Sequence, residues 1–404
     1  MPAGRGARKR EPRFSVVTIV RNEADRLPRL LASLAEFRSR GGEVLVLDTG
    51  SDDGTPEVAA AAGCHVVVEP RRFNRLLTER QARRINETFS REGEGPFVTP
   101  GERLFNFARA RNCAAALARH DVQLVVDGGD VVEALDLEWL DASIRGGRVA
   151  ACQFDVRVRN RSGWSVEVHD WFFDRRSLHW KGRAHTFLCA LPAGRKGETL
   201  RLSRRQLLVS HHTDLEKARG YQLAGVALEA LADPPSDRWR YFLGRELLAR
   251  HYFRSALPVL LSLDQAEVPP TVRSASLCFA ASCLAGLRAS RDEVDSLLIR
   301  ACRRDSRRRD PLLRLARGSL AEGDMQGAAS FAAAALAIPP KAGFSEPEEN
   351  HSTGPHAILY WALFWLGRRA DARHHFEICR RLDPTNPVHE EHAHLFSKAA
   401  PRTP

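Results

Sequence analysis

The chain has 404 residues, 43% of them hydrophobic, and its 61 Lys and Arg outnumber 50 Asp and Glu for a formal net charge of +11. That length suits two or three domains of roughly 100–200 residues each, and the apolar content excludes a disordered chain. The positive balance favours anionic partners such as nucleotides, phosphorylated carriers, nucleic acid or acidic membranes, while eight scattered cysteines with no CxxC pair argue against a disulfide framework or zinc site.

Residues 1–13, MPAGRGARKREPR, read as a basic disordered arm without the apolar core of a signal peptide. No stretch reaches the ~18 apolar residues of a membrane span, so the expectation is a soluble, cytoplasmic protein with no transmembrane segment. FSVVTIV (14–20) is β-branched and apolar and predicts a buried strand. The next segment places Leu27, Leu30, Leu31 and Leu34 on one helical face. EVLVLDTG predicts a second strand and TPEVAAAAG a helix, with Thr55 as N-cap, Pro56 at the first helical position and Gly63 as the stop. HVVVEP predicts a third strand. This alternation, with continuously apolar strands, implies a parallel sheet covered on both faces, an α/β domain of nucleotide-binding type.

Residues 70–103 are charged and predict an inserted helix and loop. LFNFARARNCAAALARH then reads as a helix, VQLVVD as a strand and LDLEWLDASI as a helix. The strand runs into LVVDGGD (124–130), whose two aspartates flank two glycines. Asp and Gly are ordinary turn residues, but ligands of open parallel sheets bind at the carboxyl ends of the strands. Arg21 and Asn22, then Asp48 with Ser51, Asp52 and Asp53, then Asp127 with Asp130 all fall at such ends and are expected on one edge.

Beyond residue 150, CQFDVRVRN, WSVEVHDWFFDRR, LHWKGRAHTFL and RQLLVSHH read as antiparallel strands. From about 225 the chain is helical. Four segments beginning near residues 241, 275, 311 and 357 look like imperfect copies of a two-helix unit, which must stack on its neighbours to bury its apolar face.

The succession VVTIVRNEADRLPRLLASL, VLVLDTGSDDGTPEVA, FNFARARNCAAALA, VVDGGDVVE, HWKGRAHTFL and VSHHTD resembles the glycosyltransferase family 2 catalytic domain. The helical part, more weakly, resembles tetratricopeptide repeats. The resemblance implies a GT-A (Rossmann-like, mostly parallel sheet) domain over 14–225, followed by an all-α repeat domain over 226–404. It also implies inverting transfer from a nucleotide-diphosphate sugar, expected to be a UDP-sugar. Carried over residue by residue, Thr18, Asn22 and Glu23 meet the nucleoside, Asp48 the base, Asp53 lies in the same loop, and Arg109, Arg111 and Asn112 face the diphosphate. Asp127, Asp130 and His211 are expected to hold a divalent Mn2+ or Mg2+, although Gly129 replaces the second acid of the Asp-x-Asp element. His185 matches a recurrent histidine, but Thr186 follows it where relatives carry an acid, so Asp170 and Asp174 stand as substitutes for the catalytic base, along with Asp130 if it does not bind metal. The acceptor, whether protein, glycan or small molecule, is not named by these motifs, and the repeats offer a surface for acceptor or protein partner. The rival reading is a catalytically degenerate scaffold whose repeats bind a partner. Dispersed basic residues give no specific nucleic-acid motif.

Overall fold

The computed structural model describes residues 10–160, 163–212, 221–232, 236–339 and 346–396. Most of the expected basic arm, residues 1–9, lies outside them. The chain divides into two compact units, one of residues 1–85, 98–161 and 166–232, the other of residues 86–97, 162–165 and 233–404.

In the first unit, β1 (Ser15–Val20) leads to α1 (Leu27–Ser33) and α2 (Ala35–Ser39), β2 (Glu43–Asp48) to α3 (Thr55–Ala61), and β3 (His65–Val68) closes the opening alternation. Gly54, at φ 83, is the N-cap of α3, so Thr55 is its first helical residue and not the expected cap. Its hydroxyl is thereby released for a contact described below. Gly63 ends the turn after α3 at φ 75, a conformation glycine adopts without strain. The insertion holds β4 (Asn74–Leu76), α4 (Glu79–Phe89) and β5 (Arg103–Phe105), with β4 and β5 paired antiparallel. This pairing claims residues that the helical pattern had assigned to α5, which runs only from Phe107 to Leu117 and is capped by the Asn106 side chain.

The unit continues with β6 (Val122–Val125), β7 (Val131–Leu135), α6 (Leu137–Arg145), β8 (Val149–Asn160), β9 (Gly163–Asp174), β10 (Leu178–Lys181), β11 (Phe187–Ala190), β12 (Glu198–Arg201), β13 (Leu207–His212) and α7 (Tyr221–Ala230). The main sheet has nine strands among the described residues, ordered β3-β2-β1-β6-β9-β8-β13-β7 with β12 beside β8. From β3 to β6 it is parallel; β9 runs antiparallel to β6, and β7 antiparallel to β13. The sheet is therefore mixed, which β7, hidden behind the glycines of LVVDGGD, helps to complete. One face packs Val16, Val20, Leu124, Phe154 and Phe172 against the leucines of α1. The other packs Val17, Leu45, Val125, Phe173 and Trp180 against Ala108, Ala110 and Ala114 of α5. The small residues of α5 let it lie close to the sheet. α7 belongs to this unit, so the boundary expected at 225/226 falls inside a helix.

The second unit is built of hairpins: α8 (Asp237–Ala249) with α9 (Phe253–Ser262), α10 (Pro270–Gly286) with α11 (Arg291–Arg304), α12 (Asp310–Ala321) with α13 (Met325–Ala337), and α14 (Thr353–Trp365) with α15 (Arg369–Leu382), followed by α16 (Pro387–His392). Each hairpin also packs on the next, through α9 on α10, α11 on α12 and α13 on α14. All four turns use one left-handed residue at the same place after the first helix: His251, Arg288, Gly323 and Gly367. That repetition, masked in the sequence because only two are glycine, identifies the four hairpins as copies of one unit. Residues 86–97 of the insertion are held here too, Glu94 accepting hydrogen bonds from the Arg254 and Ser255 amides (2.7 and 2.9 Å) and so capping α9.

Candidate functional site

β1 and β2 end side by side, Val20 in register with Asp48, so the loops that follow leave the sheet together. They are tied to each other. Asn22, left-handed at φ 53, donates its backbone amide to Ser51 Oγ (2.9 Å), and its side chain donates to Asp52 Oδ1 (2.7 Å) and accepts from the Asp52 backbone amide (3.0 Å). The Glu23 amide donates to Thr55 Oγ1 (2.8 Å) and the Ala24 amide to Asp53 Oδ2 (3.0 Å), while Asp53 Oδ1 accepts from the Thr55 amide and hydroxyl. Asp48 is fully buried and accepts from the Gly50 and Ser51 amides (2.8 and 3.0 Å) and the Ser51 hydroxyl. Thr18 is fully buried in mid-strand. The residues expected to meet nucleoside and base thus shape the rim of the edge: Thr18 and Asp48 have no surface to offer, and Asn22, Glu23 and Asp53 knot two loops together.

Asp127 follows β6 on the same edge, with β1 between it and the end of β2. Its amide donates to Asp130 Oδ2 (2.8 Å) and the Asp130 amide to its carbonyl (3.0 Å), closing a tight turn. Neither intervening glycine has positive φ. At Gly128 the reason for glycine is close approach, since a Cβ would sit 3.0 Å from Val20 Cγ1 and 3.1 Å from Glu23 Cγ. At Gly129 it would meet only the tip of Arg26, at 3.4 Å.

Arg111, on the sheet-facing side of α5 and 6% exposed, sends Nη2 to Asp127 Oδ1 (2.9 Å) and Nη1 to Thr186 Oγ1. Its guanidinium lies 4.5 Å from the Trp171 ring and 4.8 Å from Trp180, in the corner formed by two indoles packed edge to face. Asn112 exchanges hydrogen bonds of 2.9 Å with both backbone groups of Trp180 and so fixes one wall of that corner. Arg109 is exposed; two residues along a helix is about 200° of rotation, which turns it away from Arg111.

His211 at the end of β13 places Nδ1 2.7 Å from Asp130 Oδ1 and 4.0 Å from Asp127 Oδ2. Burial works against a charged imidazole, but the hydrogen bond to Asp130 and the charges of Asp130, Asp127 and Glu167 raise His211 to about 9. Burial likewise opposes the Asp127 anion, and Arg111 and His211 overcome it and hold the carboxyl below the usual range. Two cations and two carboxylates are therefore interleaved at one point of the edge.

Asp174 lies elsewhere. It pairs across β9 and β6 with Val122 at the start of β6, the opposite edge, and is gripped there by Arg176 (2.7 Å). Asp170 has the strand parity of Phe172, which packs on the α1 face, while Arg111 lies on the α5 face. His185 is half-buried in the β10–β11 loop next to Thr186. Two residues at the site were missed: His169, tilted 49° against Trp171 with ring centroids 4.2 Å apart, and Glu167, whose Oε2 is 3.2 Å from His169 Nε2. Alternation from Trp171 puts both on its face, a signal available once β9 is known to cross the edge.

Among the described residues, no group of three or more His, Cys, Asp or Glu side chains is arranged to hold a metal ion. Mg2+ typically takes one or two carboxylates and completes its shell with water and substrate phosphates. Asp127 suits that use: Oδ2 accepts no hydrogen bond among the described residues, and the side chain is 32% exposed. Asp130 is bonded to His211 Nδ1 and to the Asp127 amide, and a protonated His211 has no lone pair for a metal, so Asp127 is the carboxylate placed to be a ligand here.

Residues 15–82 match the family model for glycosyl transferase family 2. A TPR repeat-containing protein of Synechococcus elongatus is 47% identical over 53 residues, which is 13% of this chain and 12% of that protein. The matched stretch thus spans about an eighth of that relative. Among solved structures, S. aureus TarS 1-349 in complex with UDP-GlcNAc aligns over 78% of this chain and 89% of its own, with 13% identity and a TM-score of 0.34. A thermophilic TPR protein of Thermus thermophilus aligns over 42% and 86%, with 16% identity and a TM-score of 0.32.

Proposed function

We propose that the chain transfers a glycosyl group, with inversion, from a nucleotide-diphosphate sugar to an acceptor that the helical hairpins recruit or present. A UDP-sugar is the first donor to test. The observation that carries the reading is the Arg111–Asp127–Asp130–His211 cluster at the carboxyl edge of the parallel strands, within a unit whose first strands and helices match the transferase model.

In such a transfer the acceptor oxygen attacks the anomeric carbon while the bond to the diphosphate breaks, and negative charge grows on the departing oxygens. Arg111 is desolvated and locked by two indoles, so its charge is already oriented when that change occurs. His211, charged at neutral pH, supplies a second cation. A Mg2+ or Mn2+ ion held by Asp127 and completed by water and donor phosphates would offset further diphosphate charge. The Asn22–Asp52 and Asp53–Ala24 ties keep the rim of the pocket from moving as donor binds.

The decisive experiment is calorimetric titration of the full chain with UDP, with and without Mn2+, followed by product mass spectrometry with a panel of nucleotide sugars. Binding that weakens at least tenfold in Asp127→Ala is expected. No binding and no turnover with any nucleotide would leave the degenerate scaffold as the better reading.

A further inference from the structure

Thr186 cannot take up a proton, Asp174 lies on the far edge, Asp170 faces the other side of the sheet, and Asp130 is 3% exposed and bonded to His211 and the Asp127 amide, so the transfer proposed above still lacks an accessible carboxylate base. β9 supplies one. Its antiparallel register against β6 pairs Asp174 with Val122, Gln123 with Phe173 and Leu124 with Phe172. Continued back along β9, that register sets His169 opposite Asp127 and Glu167 one pleat further out, both on the Trp171 face. The Glu167 side chain is 32% exposed, against 3% for Asp130, and is the more accessible of the two to an acceptor. His169 is 16% exposed, is packed on Trp171, and brings Nε2 to 3.2 Å from the Glu167 carboxylate.

We propose that Glu167 is the catalytic base of the transfer and that His169 is its positioning residue. This rests on the glycosyl-transfer reading. As the acceptor oxygen forms its bond to the anomeric carbon, its proton passes to a Glu167 oxygen, and the electron pair of the broken carbon–oxygen bond leaves with the nucleoside diphosphate. The proton ends on Glu167, which becomes neutral, and the negative charge on the departing diphosphate, which Arg111 and His211 face. Imidazole donation from His169 keeps the carboxylate from swinging into solvent, and the Trp171 ring keeps the imidazole from turning.

The test uses the full chain with UDP-glucose and UDP-N-acetylglucosamine, reading UDP affinity, UDP release by hydrolysis and the unfolding midpoint. General-base contributions of ~10²–10⁴ set the expected size. Glu167→Gln should keep UDP affinity within about twofold and lose UDP release by ~100-fold or more, and Glu167→Asp, with its carboxylate drawn back, should fall between. His169→Ala should lower kcat with little change in KM, and His169→Gln, which retains an N–H donor, should recover much of it. Wild-type UDP release in Glu167→Gln overturns the assignment and leaves the transferase reading standing. So does loss of UDP affinity together with turnover in a variant that unfolds normally, since Glu167 would then be a binding group. Failure of the unmodified chain to bind or turn over these donors and every other member of the nucleotide-sugar panel overturns the transferase reading itself, and the assignment with it.

Discussion

Arg111 and Asp127 meet at 2.9 Å with the guanidinium in the corner of Trp171 and Trp180, so among the described residues the cation bonded to Asp127 Oδ1 is one that cannot lose its proton. A lysine would keep the charge but lose both the second donor, now on Thr186, and the stacking. Arg111→Lys should lower nucleotide-sugar turnover by ~10- to 100-fold, and Arg111→Met should cost about 2 kcal/mol in urea unfolding by leaving Asp127 unpaired. Adding Asp127→Asn to Arg111→Met should restore part of that loss. Additive losses in the double variant would show that the two residues are not coupled.

The Asp127-Gly128-Gly129-Asp130 turn makes a separate prediction. Gly128 is required by its approach to Val20 and Glu23, but Gly129 has ordinary φ and only the flexible end of Arg26 nearby. Gly129→Asp should therefore fold with less than about 1 kcal/mol change and tighten Mn2+ binding, whereas Gly128→Asp should destabilise by about 1–3 kcal/mol. Direct Mn2+ titration by calorimetry and thermal unfolding check both. Unchanged Mn2+ affinity in Gly129→Asp would place any ion away from this turn.

In the helical unit, His356 and His375 bring their Nδ1 atoms to 2.8 Å, a geometry in which one ring donates to the lone pair of the other. A second proton breaks that hydrogen bond and sets two charges side by side. Burial, together with His356 and His374, lowers His375 to about 4. A folded value below the ordinary one means that the folded state binds this proton later than the unfolded chain. Its contribution is thus fully present above about pH 6.5 and is lost as pH falls from there toward 4. His375→Gln should flatten the acid limb of the stability profile between pH 6.5 and 4, measured as the unfolding midpoint at fixed ionic strength. An identical slope in variant and wild type would assign acid sensitivity to other groups.

Arg288 occupies, at φ 58, the turn position that Gly323 and Gly367 fill in the later hairpins. Its side chain is exposed, so the left-handed backbone is not repaid by packing. Arg288→Gly should raise stability by about 1 kcal/mol, less the added chain entropy of glycine when unfolded. Chemical denaturation of the full chain measures the difference, and a destabilised variant would mean that the arginine makes a contact worth more than the strain.

Much of the fold was legible because its signals are local. FSVVTIV and EVLVLDTG are too continuously apolar for a half-exposed sheet, the leucines of α1 recur at helical spacing, and the acids at the strand ends mark the edge where a ligand would sit. The four hairpins could be seen as repeats for the same reason. What the sequence determined by itself was therefore the class of each segment and the side of the sheet on which charged groups gather.

Only the tertiary structure decided which of those groups face outward. Asp48 and Asp53 look like free carboxylates in one dimension, but backbone amides of their own and the neighbouring loop consume them. Glu94 joins its segment to the second unit by capping α9, more than a hundred residues later in the chain. The register of β9 against β6, with Asp174 opposite Val122 and Phe172 opposite Leu124, carries Asp174 to the other edge and runs the rest of β9 toward the end of β6. Side-chain periods of 2 and 3.6 are set by neighbouring dihedral angles and can be read along the chain, whereas register and capping depend on partners chosen by packing between distant segments.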